Sequence, residues 1–341
     1  MHASVIEKRL PDYLDKALAC RQTDLKENNT LAIRLFNGFT EGNPDLVIDL
    51  YGKTLLIHNY ADTAEQLSES IQTALEFYTQ SIPWIEAVLL KEPKRKGSIA
   101  RQGRLIWGQK TTDRIQENAV WYALNLQINR DASFFLDTRN LRYWAKNNLS
   151  ARKVLNTFAY TGSLGVAAKA GGAQPVIQLD QSKVYLDLAR ESYRLNQLPW
   201  QQDEFIIGDF FSSVGHLKRK EVLFDCVFLD PPYYSRSPRG LVDLFENQAR
   251  LINKVRPLVA HNGWLVTVNN ALYVSGQAYY QVLQDICSDG YVSIEAIIPI
   301  PPDCTGFPET IHRELPFSPA PFNHSTKIAV LRVRRKDQHT C

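Results

Sequence analysis

The sequence predicts an α/β fold in which an open parallel sheet forms the larger domain and a small α+β domain precedes it. Four short apolar runs rich in β-forming residues follow one another between positions 154 and 229, and stretches of helical periodicity separate them. Polar residues of ligand-binding types come directly after each run. Because the carboxyl ends of parallel strands share one edge of a sheet, we expect these residues to line a common crevice.

The first third of the chain is expected to contain a helical segment, residues 1–30, and a small α+β domain, residues 31–118. Apolar residues at helical spacing predict an amphipathic helix from Ser4 to Leu25, which Pro11 kinks or divides. In the small domain the patterns predict a hairpin from Val47 to Ile57 that turns at Gly52, a helix from Thr63 to Thr79 and a strand from Ile85 to Leu90.

A basic loop follows the last of these strands. Between positions 91 and 104 the chain carries six basic residues and one carboxylate. Lysine and arginine clusters neutralise a nucleic-acid backbone without reading its sequence, so the loop is a candidate RNA contact. A solvated loop without a ligand is the competing interpretation. The candidate RNA-binding residues are Lys94, Arg95, Lys96, Arg101 and Arg104.

Residues 119–341 are expected to form the larger domain. A strand from Ala119 to Leu126 leads into it, and a helix that ends near Asn147 follows, with Asp137 as its N-cap. The next strands are expected at Val154–Ala159, Pro175–Leu179, Glu204–Gly208, Leu223–Leu229 and Gly263–Asn270. Helices are expected at Gln181–Leu195, Leu241–Val259 and Ser275–Ile286.

The strand ends predict a nucleoside-binding crevice. Asp180 ends the second strand, where a carboxylate can accept hydrogen bonds from ribose hydroxyls. The glycine turn after the first strand lacks the full G-x-G-x-x-G pattern, so a dinucleotide site is not indicated. After Asp209, Phe210 and Phe211 are placed to sandwich an adenine, although a core position for one of them fits equally well. We expect residues 235–240 to form a mobile loop that closes on the substrate.

The motif Asp230-Pro231-Pro232-Tyr233 at the fourth strand end resembles class I S-adenosylmethionine (SAM)-dependent methyltransferases, whose amino-methylating members carry Asp/Asn-Pro-Pro-Tyr/Phe there. The stretches at 134–139, 156–162 and 34–38 look like bacterial large-subunit ribosomal RNA methyltransferases, the cytosine-5 and guanine-N7 enzymes. The likeness runs from about Ala32 to Arg334. It implies a Rossmann-like class I methyltransferase sheet, with residues 293–299 and 327–333 as an antiparallel pair at one edge.

The resemblance also implies SAM as the cofactor, RNA, foremost ribosomal RNA, as the partner, and a set of site residues. Phe135, Asp137 and Arg139 would lie over the methionine end of SAM. The full set of expected cofactor-binding residues is Phe135, Asp137, Arg139, Asn156, Phe158, Tyr160, Thr161, Gly162, Asp180, Gln181, Ser182, Asp209, Phe210 and Asp230. The expected catalytic residues are Asp230, Pro231, Pro232, Tyr233 and Asn269.

The cysteines bear on which atom of the base is methylated. Carbon-5 of a pyrimidine is not nucleophilic, so the cytosine-5 relatives add a cysteine thiolate to the ring, from the end of the fifth strand. This chain has Asn269 and Asn270 there, as the guanine-N7 relatives have. Cys226 falls within a strand and Cys304 in a loop that the sequence does not place. The sequence therefore favours a nitrogen acceptor, with cytosine-5 methylation of ribosomal RNA as the alternative. A plain strand-end turn remains the alternative interpretation of the two asparagines.

Composition narrows the class of protein. A net charge of +3 means that any anionic partner must meet a local basic patch. The five cysteines form no C-x-x-C pair, which argues against zinc and against a disulfide framework. No signal-like or membrane-length apolar run is present, so we expect a cytoplasmic protein without membrane contact, with a homodimer left open. A methyltransferase of a protein or small molecule, and a non-catalytic RNA-binding protein, are the competing functions.

Overall fold

The computed structural model describes residues 2–25, 29–62, 68–95 and 97–336. The chain divides into two compact units. The first contains Met1–Asp137 and Pro301–Leu315, and the second contains Thr138–Ile300 and Pro316–Cys341. The division therefore follows Asp137, later in the chain than the domain boundary between residues 118 and 119 that the sequence suggested, and a short distal segment joins the first unit.

The first unit is built on a five-stranded sheet of order β1-β2-β3-β4-β5. Its strands pair antiparallel except for β3 and β4, which are parallel. A separate hairpin joins β6 and β7. The elements are α1 (His2–Leu25), β1 (Ala32–Asn37), α2 (Gly38–Glu41), β2 (Leu46–Tyr51), β3 (Thr54–Asn59), α3 (Ser68–Ser81), β4 (Ala87–Lys91), α4 (Ser98–Gln102), β5 (Arg104–Gly108), β6 (Arg114–Glu117) and β7 (Val120–Ala123).

Most of the predicted elements of this unit are present. The hairpin turns at Gly52, as predicted, and α1 is a single helix that continues through Pro11. Leu10 and Leu14 of α1 are buried in the core of the unit, while the side chain of Ile6 lies outside the described residues. The helix predicted from Thr63 is described from Ser68 to Ser81, and residues 63–67 are also outside the described part.

Buried polar bonds explain why the first unit continues to Asp137. Lys91 at the end of β4 is buried, and its ammonium donates to the carbonyl oxygens of Asn129 at 2.9 Å and Asp131 at 2.7 Å. The hydroxyl of Tyr51 donates to the carbonyl oxygen of Phe134 at 2.9 Å. These bonds fix residues 129–134 to the strands of the first sheet. The strand predicted at Ala119–Leu126 is β7 of the β6–β7 hairpin, which also belongs to this unit.

The second unit contains a seven-stranded sheet of order β10-β9-β8-β11-β14-β16-β15. Neighbours from β10 to β14 are parallel, whereas β16 is antiparallel to both of its neighbours. The elements are α5 (Arg139–Asn148), β8 (Val154–Thr157), α6 (Ser163–Ala170), β9 (Val176–Asp180), α7 (Lys183–Leu195), β10 (Phe205–Ile207), α8 (Phe210–Arg219), β11 (Phe224–Leu229), β12 (Tyr234–Ser237), β13 (Gly240–Asp243), α9 (Gln248–Val255), β14 (Val259–Asn269), α10 (Gly276–Cys287), β15 (Val292–Ile298) and β16 (Lys327–Val333). Pro302–Thr305 forms α11 of the first unit.

This topology confirms the predicted fold class, including the antiparallel pairing at one edge. The strand order reverses between β8 and β11. The strands that follow β8 in the chain, β9 and β10, lie on one side of it in the order, and β11 and β14 lie on the other. Ligands of open α/β sheets bind outside the carboxyl ends of the strands at such a switch point. The glycine turn after β8 and the Asp230 motif after β11 both lie there.

Three local predictions in this unit are wrong. The helix predicted at Leu241–Val259 is instead β13, a loop, α9 and a short 3-10 turn, because a short apolar run such as 241–244 fits either period and Val242 packs into the core as a strand residue. Residues 235–240, expected as a mobile loop, lie in the β12–β13 hairpin. The N-cap of α5 is Thr138, one residue after the predicted Asp137.

A close approach between α6 and the sheet shapes the turn after β8. A Cβ atom on Gly165 would lie 2.2 Å from Nε2 of Gln178, which is buried in β9. That amide donates to the carbonyl oxygen of Gly162 at 3.1 Å, and its oxygen accepts from Nδ2 of Asn156 at 2.8 Å. One side chain therefore joins two strands and the glycine turn, and it needs the space that glycine leaves.

We expect Gly165→Ala to destabilise the second unit by about 1–3 kcal/mol, because overpacking outweighs the gain in helix propensity. Gly215→Ala is the matched control. Gly215 also lies within a helix, α8, but its Cβ atom would meet only Nη1 of Arg219, at 3.6 Å. This variant should therefore be about 0.5–1 kcal/mol more stable. Calorimetric unfolding of both variants measures the difference, and equal stability of the two would contradict the close approach.

Candidate active site

Asp180 holds the turn after β8 in place. Its Oδ2 accepts from the backbone N–H of Tyr160 at 2.8 Å and its Oδ1 from that of Ser182 at 2.9 Å. Phe158, Tyr160 and Gly162 all have positive φ, of 52°, 51° and 77°. The left-handed conformation costs roughly 1–2 kcal/mol at a residue other than glycine, and such strain persists where surrounding bonds enforce it. The carboxylate thus bends the first strand end toward the second.

The same carboxylate faces a crevice in the second unit. Burial raises the pKa of Asp180 above its ordinary value, against the lowering effect of its hydrogen bonds from Ser182 and Tyr160. The crevice has about 430 Å³ of empty volume, including its open mouth. Its lining residues are Phe158, Leu179, Asp180, Gln181, Gly208, Asp209, Phe210, Phe211, Ser235, Arg236, Ser237, Gly240 and Val242. Its lining combines aromatic rings with a carboxylate, a chemistry that suits a planar apolar group beside a group with hydroxyls.

Three phenylalanines form the apolar wall. The rings of Phe158 and Phe210 stack with centroids 4.4 Å apart and planes 28° apart. Phe210 is 6% exposed and belongs to the core, while Phe211 meets it edge to face. Of the two residues that the sequence offered for sandwiching adenine, Phe210 is therefore the one that also has a core position. Phe211 and Phe158 are only partly buried and face the crevice.

Asp209 lies at the third strand end and lines the crevice. It is the N-cap of α8 and accepts from the backbone N–H of Ser212 at 3.0 Å. Burial, which raises its pKa, is outweighed by hydrogen bonds to the carboxylate, foremost from Ser212, so the pKa of Asp209 lies below its ordinary value. Asp209 therefore stays ionised at neutral pH.

The Asp230 motif lies at the end of β11, beside the end of β14. Asp230 is half-buried, Pro231 is buried, and Pro232 and Tyr233 are exposed. The side chain of Asn270 donates through Nδ2 to the carbonyl oxygen of Pro231 at 3.2 Å. One hydrogen bond from Asn270 thus joins the loop after β11 to the loop after β14. We call this end of the second sheet, where the carboxyl ends of its parallel strands lie, the catalytic edge.

Asn269, the predicted catalytic asparagine, is turned inward. It is 1% exposed, its Nδ2 donates to the carbonyl oxygen of Leu244 and to Oε1 of Gln248, both at 3.3 Å, and its Oδ1 accepts from the backbone N–H of Ala271 at 3.0 Å. The catalytic role of Asn269 stays a prediction, and of the two adjacent asparagines it is Asn270 that is exposed.

The other predicted cofactor residues fall into three groups. Asn156 and Thr161 are buried, and Asn156 bonds Gln178, so both support the turn from beneath. Ser182 caps α7 by accepting from the backbone N–H of Tyr185 at 3.4 Å. The residues predicted to lie over the methionine end are split between the units: Phe135 and Asp137 are in the first, and Arg139 begins α5 of the second.

The predicted RNA-binding loop carries fewer uncompensated charges than its sequence suggests. Lys94 forms an ion pair with Asp62 at 3.0 Å, and Arg95 forms one with Glu92 at 2.9 Å. Nε of Arg101 donates to the carbonyl oxygen of Gly97 at 3.1 Å. Arg104 is exposed on β5. Lys96 lies outside the described residues.

Gln178 and the β12–β13 hairpin are the structural features that the sequence did not indicate. A glutamine within an apolar strand carries no motif, and its partners lie 22 and 16 residues earlier in the chain. Within the ranges that the structure describes, no three His, Cys, Asp or Glu side chains gather in a way that could hold a metal ion. Nor does any described helix have the length and apolar character to span a membrane.

Known proteins with similar sequences act on ribosomal RNA according to their names. Ribosomal RNA large subunit methyltransferase I of Aeromonas salmonicida is 29% identical over 278 residues, which cover 81% of this chain and 70% of that protein. YwbD of Bacillus subtilis, assigned as a ribosomal RNA large subunit methyltransferase, is 28% identical over 276 residues, covering 79% of this chain and 68% of the other.

Solved structures agree on the fold. The crystal structure of SMU.776, a proposed methyltransferase complexed with SAH, superposes with a TM-score of 0.83 at 20% identity, covering 96% of this chain and 82% of that one. The family model described as S-adenosylmethionine-dependent methyltransferase matches residues 33–284. That match spans most of the chain and includes all the residues that line the crevice. The protein therefore belongs to the S-adenosylmethionine-dependent methyltransferase family and is an enzyme that uses SAM.

Proposed function

We propose that the protein methylates a base nitrogen in large-subunit ribosomal RNA, either guanine N7 or an exocyclic amine. The observation that carries the choice of atom is the hydrogen bond from the Asn270 amide to the Pro231 carbonyl oxygen, which joins these two groups next to Asp230 in the chain. The choice of RNA is supported by the names of the two relatives above.

The crevice suits the adenosyl part of SAM. The partly buried rings of Phe158 and Phe211 can contact adenine, and Asp180 has acceptor capacity left for ribose hydroxyls because a carboxylate accepts about four hydrogen bonds. Phe135, Asp137 and Arg139 are retained as candidates for the methionine end on resemblance alone. When bound, SAM supplies a methyl group on a positively charged sulfur, so the protein needs only to orient the acceptor in line with it.

The Asp230 motif offers hydrogen-bond acceptors to a base. Asp230 and the second lone pair of the Pro231 carbonyl could accept from an exocyclic amine and keep its lone pair on the nitrogen. A guanine could instead donate N1–H and N2–H to the Asp230 carboxylate, and its N7 would remain free to attack, since N7 carries an unshared pair. Tyr233 is exposed beside these groups and can stack on the base, a contact worth about 1–3 kcal/mol.

Of the described cysteines, Cys226, Cys287 and Cys304 are poorly suited to supply the thiolate that carbon-5 chemistry requires, and Cys20 lies on α1 of the first unit, where burial raises its pKa. Cys226 is fully buried inside β11, where burial raises its pKa well above the ordinary value and keeps the thiol protonated. Cys287 ends α10 just before β15 begins, at the opposite edge of the sheet from Asn270. Cys304 is buried in the first unit, with its Sγ 3.9 Å from Oδ2 of Asp303. A nitrogen acceptor needs none of them.

RNA backbone contact is proposed for Arg101 and Arg104 in the first unit. Lys94 and Arg95 are paired with carboxylates at the surface, so each would release less counterion on meeting a phosphate than an unpaired cation. Lys96 remains a candidate by sequence.

Asp180→Ala should weaken SAM binding by about 1.5–3 kcal/mol, because hydrogen bonds to a charged acceptor are lost. A comparison of adenosine with 2′,3′-dideoxyadenosine isolates the ribose contact from any change in the turn. The parental protein should prefer adenosine, and the variant should bind both equally. Asp203→Ala, which removes an exposed carboxylate of the short 3-10 turn before β10, is the control and should behave as the parent. A variant that still prefers adenosine would remove Asp180 from the ribose site.

Asp230→Ala should lower the rate of methyl transfer to large-subunit ribosomal RNA at least about 100-fold, because it removes a group that positions the reacting atom. SAM affinity is measured alongside, because the resemblance also implies a cofactor contact for Asp230. Asp285→Ala, an exposed carboxylate on α10, is the control.

Cysteine variants test the acceptor atom. Cys226→Ser and Cys304→Ser should retain activity apart from any loss of stability, and RNA that contains 5-fluorocytidine should form no covalent adduct with the protein. A trapped adduct that Cys304→Ser abolishes would establish carbon-5 chemistry with Cys304 as the nucleophile, contrary to the proposal.

A further inference from the structure

Two exposed aromatic rings lie in contact just beyond the end of β14. Tyr273 is 61% exposed and Phe317 is 44% exposed. Their centroids are 5.9 Å apart and their planes are 84° apart, an edge-to-face pair. We call these two residues the aromatic pair. Both rings expose a face to solvent, and a flat aromatic group can stack on such a face.

The backbone beneath Tyr273 is fixed by a buried cation. Lys327 at the start of β16 is fully buried, and its ammonium donates to the carbonyl oxygens of Ala271 and Val274, both at 3.0 Å, and to that of Ser325. An ammonium has three N–H donors, and all three are used here. Burial lowers the pKa of Lys327 to about 8. The turn from 271 to 274 is therefore wrapped around one charged group.

The backbone that carries Phe317 is fixed as well. The carbonyl oxygen of Ser318 accepts from the backbone N–H of Gly276 at 2.9 Å. A Cβ atom on Gly276 would lie only 1.7 Å from the carbonyl oxygen of Pro319, so this segment packs directly against the start of α10. Both rings therefore project from ordered backbone, and a flat ligand would order few further groups on binding.

Tyr273 of the aromatic pair lies close in the chain to the residues that are proposed to bind the acceptor base. Tyr273 follows Asn270 by three residues, and Asn270 donates to the carbonyl oxygen of Pro231 in the Asp230 motif. Tyr233, the last residue of that motif, and Tyr234, the residue after it, are also exposed. The end of β14 therefore connects a second aromatic surface to the place where the acceptor base is proposed to bind.

The charges nearby fit an anionic ligand. Residues 269–276 and 316–326 contain no aspartate or glutamate, and they include one histidine, His324. Arg236 and Arg239 are exposed on the β12–β13 hairpin that begins after Tyr233. A phosphodiester chain that runs past these two segments would meet no carboxylate from them. Unstacked bases of single-stranded RNA stack on aromatic side chains, while basic side chains contact the backbone of the strand.

We propose that the aromatic pair is a stacking site for an unpaired base of the RNA strand that flanks the target nucleotide. This rests on the proposed function and specifies its substrate further: the RNA is unpaired around the methylated position. A base within a duplex has its faces covered by its neighbours and cannot stack on Tyr273 or Phe317. The flanking base would fix the strand in register, so that the target base enters at Asp230.

The test uses the full chain and an RNA oligonucleotide of about ten nucleotides, within the range of site sizes for single-strand binding. The oligonucleotide carries 2-aminopurine, whose fluorescence falls when the base stacks, and it is compared with the same strand annealed to its complement. The variants are Tyr273→Ala and Phe317→Ala. Tyr273→Phe keeps the ring, and Tyr143→Ala removes a tyrosine of α5 that is 57% exposed.

Each alanine variant should bind the single strand about 5- to 150-fold more weakly and restore the fluorescence. The slope of affinity against salt should not change, since no phosphate contact is removed. Tyr273→Phe and Tyr143→Ala should bind as the parent does, and the duplex should bind more weakly than the single strand. For methyl transfer, KM for RNA should rise while kcat and SAM affinity stay constant.

Alanine variants that bind the single strand as tightly as the parent would overturn the proposal. So would a parallel loss of SAM affinity, which would show that the rings only hold this edge of the fold together. If the parental protein binds and methylates no RNA, the proposed function fails, and the stacking site fails with it. If the parent methylates RNA and only the ring variants are unaffected, the stacking site alone is wrong.

Discussion

The close packing of α6 on β9 is the constraint on which the catalytic edge depends. Gly165 leaves the space that the Gln178 amide occupies, and that amide holds Asn156 of β8 and the carbonyl of Gly162. The turn that follows can then keep Phe158 and Tyr160 in left-handed conformations, which their own sterics oppose. Asp180 completes the arrangement from the second strand by accepting the Tyr160 N–H.

Two adjacent asparagines make different contacts on the other side of the switch point. Asn269 is buried and joins the end of β14 to residues 244–248, whereas Asn270 faces outward and joins it to Pro231. The first asparagine stabilises the strand end and the second reaches the site. Lys327 then fixes the turn that follows, at the cost of a buried charge. Polar bonds of this kind make the loops of the edge rigid enough to orient an acceptor atom.

The fold could be predicted from the sequence because its signals are local. Apolar runs, the glycine turn and strand-end aspartates each occupy a few consecutive residues, and the strands at 154, 176, 205 and 224 were found from them. The hairpin at 234–243 could not be predicted because each of its strands has only four residues. The pattern of apolar and polar residues over so short a run fits a strand and a helix equally well. Which of two adjacent asparagines faces the site depends on the direction of the pleat at an irregular strand end.

The remaining features could not be predicted because they depend on contacts between residues that are far apart in the sequence. Gln178 looks like an ordinary strand residue until its contacts with Asn156 and Gly162 are known. The basic loop looks strongly cationic until Lys94 is seen beside Asp62, 32 residues earlier. Motif spacing could place Asp180, Asp209 and Asp230 at one edge, since each ends its own strand, but it could not tell that residues of the β12–β13 hairpin line the same crevice.

The central claim is that the methyl group is transferred to a base nitrogen of large-subunit ribosomal RNA. The most direct test incubates the protein with SAM that carries a deuterated methyl group and with ribosomal RNA from cells that lack the protein. The RNA is then digested to nucleosides, which are separated and identified by mass spectrometry. The account predicts that the label appears in 7-methylguanosine or in an N-methylated exocyclic amine of a large-subunit nucleoside. Label in 5-methylcytidine would contradict it.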